Sequence, residues 1–201
     1  NASATVGVLP VPTISKVFSP ASINAFAPST MTLVISNPKD IALTSASFTD
    51  TFPTDLKTIA TSQTASGSCV GANTNTIAAN STSINISGLT IPAAVGAVAG
   101  TCTISIQVTS GVVGGYDNTT SGVTGDYGLT SVTGSPSNVA HIDVSGFSQL
   151  GIAKKFVQVI PNSDGSYDMQ MQFTIKNTGS FTENNLQIFD DLSNTFSSAT
   201  S

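Results

Sequence analysis

The chain has 201 residues, of which 39% are hydrophobic and only 8% charged, with a net charge of −5. That composition is too apolar and too weakly charged for a disordered chain, and six lysines without a single arginine offer no basic cluster for nucleic acid. No apolar run is long enough to cross a bilayer, and no charged start followed by an apolar stretch marks a signal peptide.

In chain order, residues 1–12 read as a leader or linker, because Pro10 and Pro12 favour extended backbone outside a sheet. Thr13 to Phe18 is the first predicted strand. Alternate side chains share a face, so Ile14, Lys16 and Phe18 point to one side and a lysine sits on the apolar face. Pro20 and Pro28 frame a turn, and Met31, Leu33 and Ile35 alternate in a strand over 29–36 that ends at the turn Asn37-Pro38-Lys39-Asp40. Leu43 to Phe52 alternates again and places Asp50 between Phe48 and Phe52. Weaker strands are predicted over 56–61 and 74–79, a better one over 83–87, then a Gly, Ala and Pro-rich loop through Gly100. Cys102 opens a strand whose Cys102, Ile104, Ile106 and Val108 share the core face. Tyr116 to Val123 and Asn138 to Val144 complete the module. Short strands at regular spacing, with turn residues between them, predict an all-β fold of the β-sandwich type.

The opening strand returns. Ile14, Lys16 and Phe18 are echoed by Ile152, Lys154 and Phe156 at an offset of 138; Asn37 and Asp50 are echoed by Asn177 and Asp190 at 140. The two extra residues fit the turn Pro161 to Gly165, where Asp-Gly is a hairpin signal. So long a period predicts tandem domains: a complete module over 13–146 and an incomplete second one over 147–201, within a longer multidomain chain. Phe147 and Leu150 lie in the join.

Lys16, Asp50 and Asn118 are the candidate chemistry. If three strands bring them together, burial lowers the lysine pKa and raises that of a carboxyl group. A neutral amine can then attack the Asn118 carbonyl, with Asp50 as assisting acid, releasing ammonia and leaving an isopeptide bond. The same trio also reads as a buried Lys16 and Asp50 ion pair with Asn118 completing its hydrogen bonds. Lys154 and Asp190 repeat two of the three, with the matching amide expected beyond Ser201. Cys69 and Cys102, the only cysteines, predict a disulfide and an oxidising compartment.

The expected class is not an enzyme. His141 reads as an exposed strand residue, and no catalytic elbow, phosphate loop or metal motif is present. Asp164 and Asp168 lack the ligand density of a calcium loop. No cofactor and no metal are expected.

The Thr13 to Pro20 strand, the Ser36-Asn37-Pro38 turn, Phe48 to Pro53, the two cysteines and Tyr116-Asp117-Asn118 together resemble the Ig-like "conserved repeat" modules of large bacterial and archaeal surface proteins, the domain-of-unknown-function eleven type. The resemblance implies an Ig-like sandwich in a secreted, extracellular cell-surface stalk or adhesin, in some bacteria delivered by the type IX route. It makes neighbouring repeat modules the first expected partners. Surface carbohydrate or protein, or the secretion machinery, are others. The function expected is a non-catalytic, load-bearing repeat. The alternatives are a carbohydrate- or protein-binding module, or a filament or sheath subunit assembling by strand addition.

Overall fold

The computed structural model describes residues 10–67 and 77–191, with the backbone alone for 60–67. The chain divides into two compact units, Asn1–Gly146 and Phe147–Ser201. Among the described residues there is no helix. Residues 1–9 of the predicted leader and 74–76 of the strand expected over 74–79 lie outside the described residues, and 77–79 are not strand.

In the first unit, β1 (Thr13–Ser19), β3 (Ser29–Asn37), β7 (Gly100–Thr109) and β5 (Lys57–Gly67) form one antiparallel sheet in the order β1-β3-β7-β5. A second sheet has the order β10-β9-β4-β6, from β4 (Leu43–Thr51), β6 (Ser83–Ile91), β9 (Thr124–Tyr127) and β10 (Thr130–Thr133). A third, smaller sheet joins β2 (Ser22–Asn24), β11 (Ala140–Ser145) and β8 (Gly114–Asn118). The sheets pack as a sandwich.

The core follows the alternation. Ile14 and Phe18 on β1, Met31, Leu33 and Ile35 on β3, and Cys102, Ile104, Ile106 and Val108 on β7 are all buried. Two strands reset their parity. On β4 the buried residues are Leu43, Ala46, Phe48 and Asp50, with Ser45 in the left-handed region (φ 53°) where the register with β6 shifts. On β6 they are Ile84, Ile86, Leu89 and Ile91, and Gly88 (φ 71°) supplies the bulge. A bulge inserts one residue and returns the following side chains to the same face.

Several boundaries differ from the sequence reading. The strand expected over 116–123 is only Gly114–Asn118, and the chain then forms the β9–β10 hairpin around Gly128 (φ 62°). The segment between Pro20 and Pro28 contains the short strand β2, parallel to β11. β11 begins at Ala140, not Asn138, because the Asn138 side chain is engaged elsewhere.

Among its described residues the second unit has an antiparallel hairpin, β12 (Leu150–Pro161) and β13 (Tyr167–Asn177), followed by an irregular segment. Its register reproduces that of β1 with β3. Ile14, Lys16 and Phe18 face Ile35, Leu33 and Met31; Ile152, Lys154 and Phe156 face Ile175, Phe173 and Met171. The turns match as well. Asn37 donates to Ile41 O at 2.9 Å and accepts from Lys39 N at 3.0 Å, while Asn177 donates to Phe181 O at 2.7 Å and accepts from Gly179 N at 2.9 Å. Unlike those of β1 and β3, nearly all residues of this hairpin are exposed.

Candidate functional site: a buried lysine, aspartate and asparagine

Three strands bring the predicted trio together. Lys16 is the middle inward residue of β1, Asp50 the last inward residue of β4, and Asn118 the last residue of β8; their exposures are 3%, 0% and 4%. Lys16 Nζ donates to Asp50 Oδ2 and to Asn118 Oδ1 in very close contacts. Asn118 Nδ2 in turn donates to Asp50 Oδ1 at 2.9 Å and to Thr51 O at 2.9 Å. The Thr51 carbonyl can only accept, so it fixes the orientation of the amide: the nitrogen faces Asp50 and Thr51, and the carbonyl oxygen faces the amine. As an assisting acid, Asp50 thus touches the amide nitrogen and not the carbonyl oxygen.

The walls of this site are apolar. The rings of Phe18 and Phe52 have their centroids 5.6 and 5.7 Å from Lys16 Nζ. Desolvation therefore pushes the Lys16 amine below its usual range, against the opposing pull of the Asp50 charge and hydrogen bond. A buried amine of lowered basicity, an amide carbonyl and a carboxyl group contacting both partners form a closed ring of three groups.

The backbone around the trio is cross-braced. Asp50 forms a bridge with Thr120, whose amide donates to Ser137 Oγ at 3.0 Å. Asn118 pairs with Ala140 in the β8–β11 ladder. Asn138 Oδ1 accepts from Lys16 N at 2.9 Å, and its Nδ2 donates to Lys16 O at 2.9 Å. Sequence reasoning missed Asn138; the only signal was an asparagine at the mouth of a strand.

In the second unit, Lys154 Nζ donates to Asp190 Oδ2 at 2.7 Å and Oδ1 at 2.9 Å, and lies 5.7 Å from the Phe173 ring centroid. These side chains are 36% and 31% exposed. Cys102 is buried on β7 opposite Gly67 of β5, whereas Cys69 lies outside the described residues. His141 is exposed as expected, and its ring contacts Asp117 at 2.6 Å and Asp143 at 3.1 Å. The expected 88–100 loop is shorter, since β6 runs to Ile91; it ends in a tight bridge between exposed Val95 and Val98. Among the described residues no group of His, Cys, Asp or Glu is arranged to hold a metal.

Residues 12–139 match the family described as Domain of unknown function (DUF7933). The chain belongs to this family. No curated protein matches the sequence. Among solved structures, it is similar to a variant of BcpA, the major pilin subunit of Bacillus cereus, at 12% identity and a TM-score of 0.51, covering 90% of this chain and 64% of that one. It is also similar to the full-length major pilin SpaD from Corynebacterium diphtheriae, at 17% identity and a TM-score of 0.45, covering 71% of this chain and 36% of that one. A third is the N-terminal domain of the Streptococcus gordonii adhesin Sgo0707, at 18% identity and a TM-score of 0.43, covering 68% and 33%. The chain thus spans between about one third and two thirds of the length of these proteins. The likeness to BcpA is one of fold: an Ig-like β-sandwich.

Proposed function

We propose that residues 13–146 are a non-catalytic, load-bearing module of a secreted cell-surface adhesin or fibre, locked by an isopeptide bond between Lys16 and Asn118. Residues 147–201 begin a second module of the same kind in tandem. The observation that carries this reading is the buried ring of Lys16, Asp50 and Asn118. The pilin fold of BcpA is the setting in which such a lock is useful, because a fibre subunit is pulled end to end.

Lys16 passes a proton to Asp50 and its free amine attacks Asn118 Cγ, giving a tetrahedral intermediate. Asp50 gives its proton to Nδ2 and takes one from the attacking nitrogen, the carbon to Nδ2 bond breaks, and the released ammonia takes up that second proton and leaves as ammonium. A secondary amide remains and the Asp50 carboxylate is regenerated. The 2.9 Å contact between Asp50 Oδ1 and Nδ2 supports this route for the proton. A disulfide between Cys69 and Cys102 is the second lock of the same module. Lys154 and Asp190 are the corresponding pair of the tandem copy.

Single-molecule pulling tests the mechanical role. A bond between Lys16 and Asn118 removes the 102 positions between them from the extension, so the first module unfolds about 340–370 Å short of its full contour length. Release of the full length would contradict the reading.

A second reading has one observation in its favour. An open cavity of about 720 Å³ is lined by Phe26, Phe52, Pro53, Leu56 and Val112, and Phe26 is 68% exposed with φ 68°. That surface suits a carbohydrate- or protein-binding module. Titration with candidate glycans and a Phe26→Ala control tests it.

A further inference from the structure

We infer that Asn138 is a positioning residue for the Lys16 and Asn118 crosslink, an inference that rests on the reading above. In the β1–β3 ladder Lys16 faces Leu33, but its own N–H and C=O point to the other edge of β1. There the Asn138 side chain meets both, at 2.9 Å each, in the two-point pattern a neighbouring strand would offer. One asparagine thus replaces a strand at the single residue whose amine has to react. Asn138 further donates to Val139 O at 3.1 Å, which ties its amide to its own backbone.

The surrounding segment explains what the clamp is for. Ser137, Asn138 and Ala140 lie within four residues of one another; Asn138 and Ala140 each pair with one member of the trio, and Ser137 reaches the third through Thr120. Ser137 anchors Thr120, the bridge partner of Asp50. Asn138 grips the backbone of Lys16. Ala140 pairs with Asn118. The segment sets the separation between the backbone of the amine and that of the carbonyl. Between that fixed backbone and Nζ stand only four methylenes, so an error in strand position passes directly to the attacking atom. Misplacement by about 1 Å can cost a reaction of this kind about 100-fold.

Asn138 is exposed while Lys16, Asp50 and Asn118 are buried. Asn138→Ala therefore removes the clamp without opening a void in the core, and its effect on chemistry can be separated from an effect on folding. The experiment uses the full chain purified unfolded and uncrosslinked from inclusion bodies and refolded by dilution. Far-UV circular dichroism follows strand formation, and samples quenched in denaturant are read by intact mass for loss of one ammonia.

The expected result is that Asn138→Ala regains its strand signal with the parent but crosslinks about 10- to 100-fold more slowly. Its pH–rate profile should keep the parent midpoint, set by Lys16, at a lower plateau. Asn138→Asp keeps the acceptor for Lys16 N–H, loses the donor to Lys16 C=O, and should fall between the two. An Asn138→Ala chain that crosslinks at the parent rate overturns the inference while leaving the crosslink intact. If Asn138→Ala does not fold, Asn138→Asp decides: folded and slowed supports the role, folded at the parent rate overturns it, and failure of both to fold overturns it in favour of a structural role. A parent chain that never loses ammonia removes the crosslink itself, and the inference with it.

Discussion

Asp50 Oδ1 accepts a hydrogen bond at 2.9 Å from the amide nitrogen of Asn118, so the carboxyl group lies on the atom that must depart if Lys16 attacks. This contact turns a buried cluster into a directed one.

Asp50→Ala is expected to abolish ammonia loss and to leave Lys16 buried without its counter-charge. Breaking a buried pair by removing one partner costs about 3–5 kcal/mol, and both side chains are fully enclosed. Denaturant unfolding should show that loss relative to an uncrosslinked Asn118→Ala chain. Equal midpoints would mean the pair is not buried in solution.

The same Asn118→Ala chain exposes the titration of Lys16. Burial holds the folded amine below its usual range, while the unfolded value stays near about 10.4. Between the two values the unfolded chain binds more protons, so stability rises with pH. The favourable contribution is complete above the unfolded value and is lost as pH falls through the folded one. The unfolding midpoint should climb with alkaline pH, and the slope should shrink when Lys16→Met is added. A midpoint insensitive to that second change contradicts the assignment.

His141 behaves in the opposite sense. Its hydrogen bond to Asp117, and a second one to Asp143, raise its pKa. The stabilisation is therefore present in full below about 6.5 and disappears as pH rises through the higher folded value. An NMR titration should place the His141 ring above the free imidazole, and Asp117→Asn should bring it down.

For the proposed disulfide, Cys102→Ser should cost about 3–4 kcal/mol, the loop-entropy value for closing 33 positions. Thiol labelling of the unfolded, unreduced parent should find no reactive cysteine. Two labelled thiols would remove the bridge.

Side-chain parity made much of this legible. It put Lys16 and Asp50 on core faces before any strand was placed, and the echo of Asn37 at Asn177 falls at two turns whose hydrogen bonds correspond. What parity could not supply was convergence, because the meeting of β1, β4 and β8 depends on long-range pairing. Nor could it find the bulges at Ser45 and Gly88, where one inserted residue resets the alternation. Asn138 was read as a strand residue because its type gives no hint that its side chain, not its backbone, does the pairing.

Whether Lys16 and Asn118 are covalently joined is read from the intact mass of the reduced, denatured chain beside its Lys16→Ala variant. A deficit of one ammonia in the parent, absent from the variant, is the predicted result; it should be one and not two, since the Lys154 and Asp190 side chains are about one third exposed where those of Lys16 and Asp50 are fully enclosed. The full calculated mass in both chains would contradict the account and leave an ordinary sandwich with a buried ion pair.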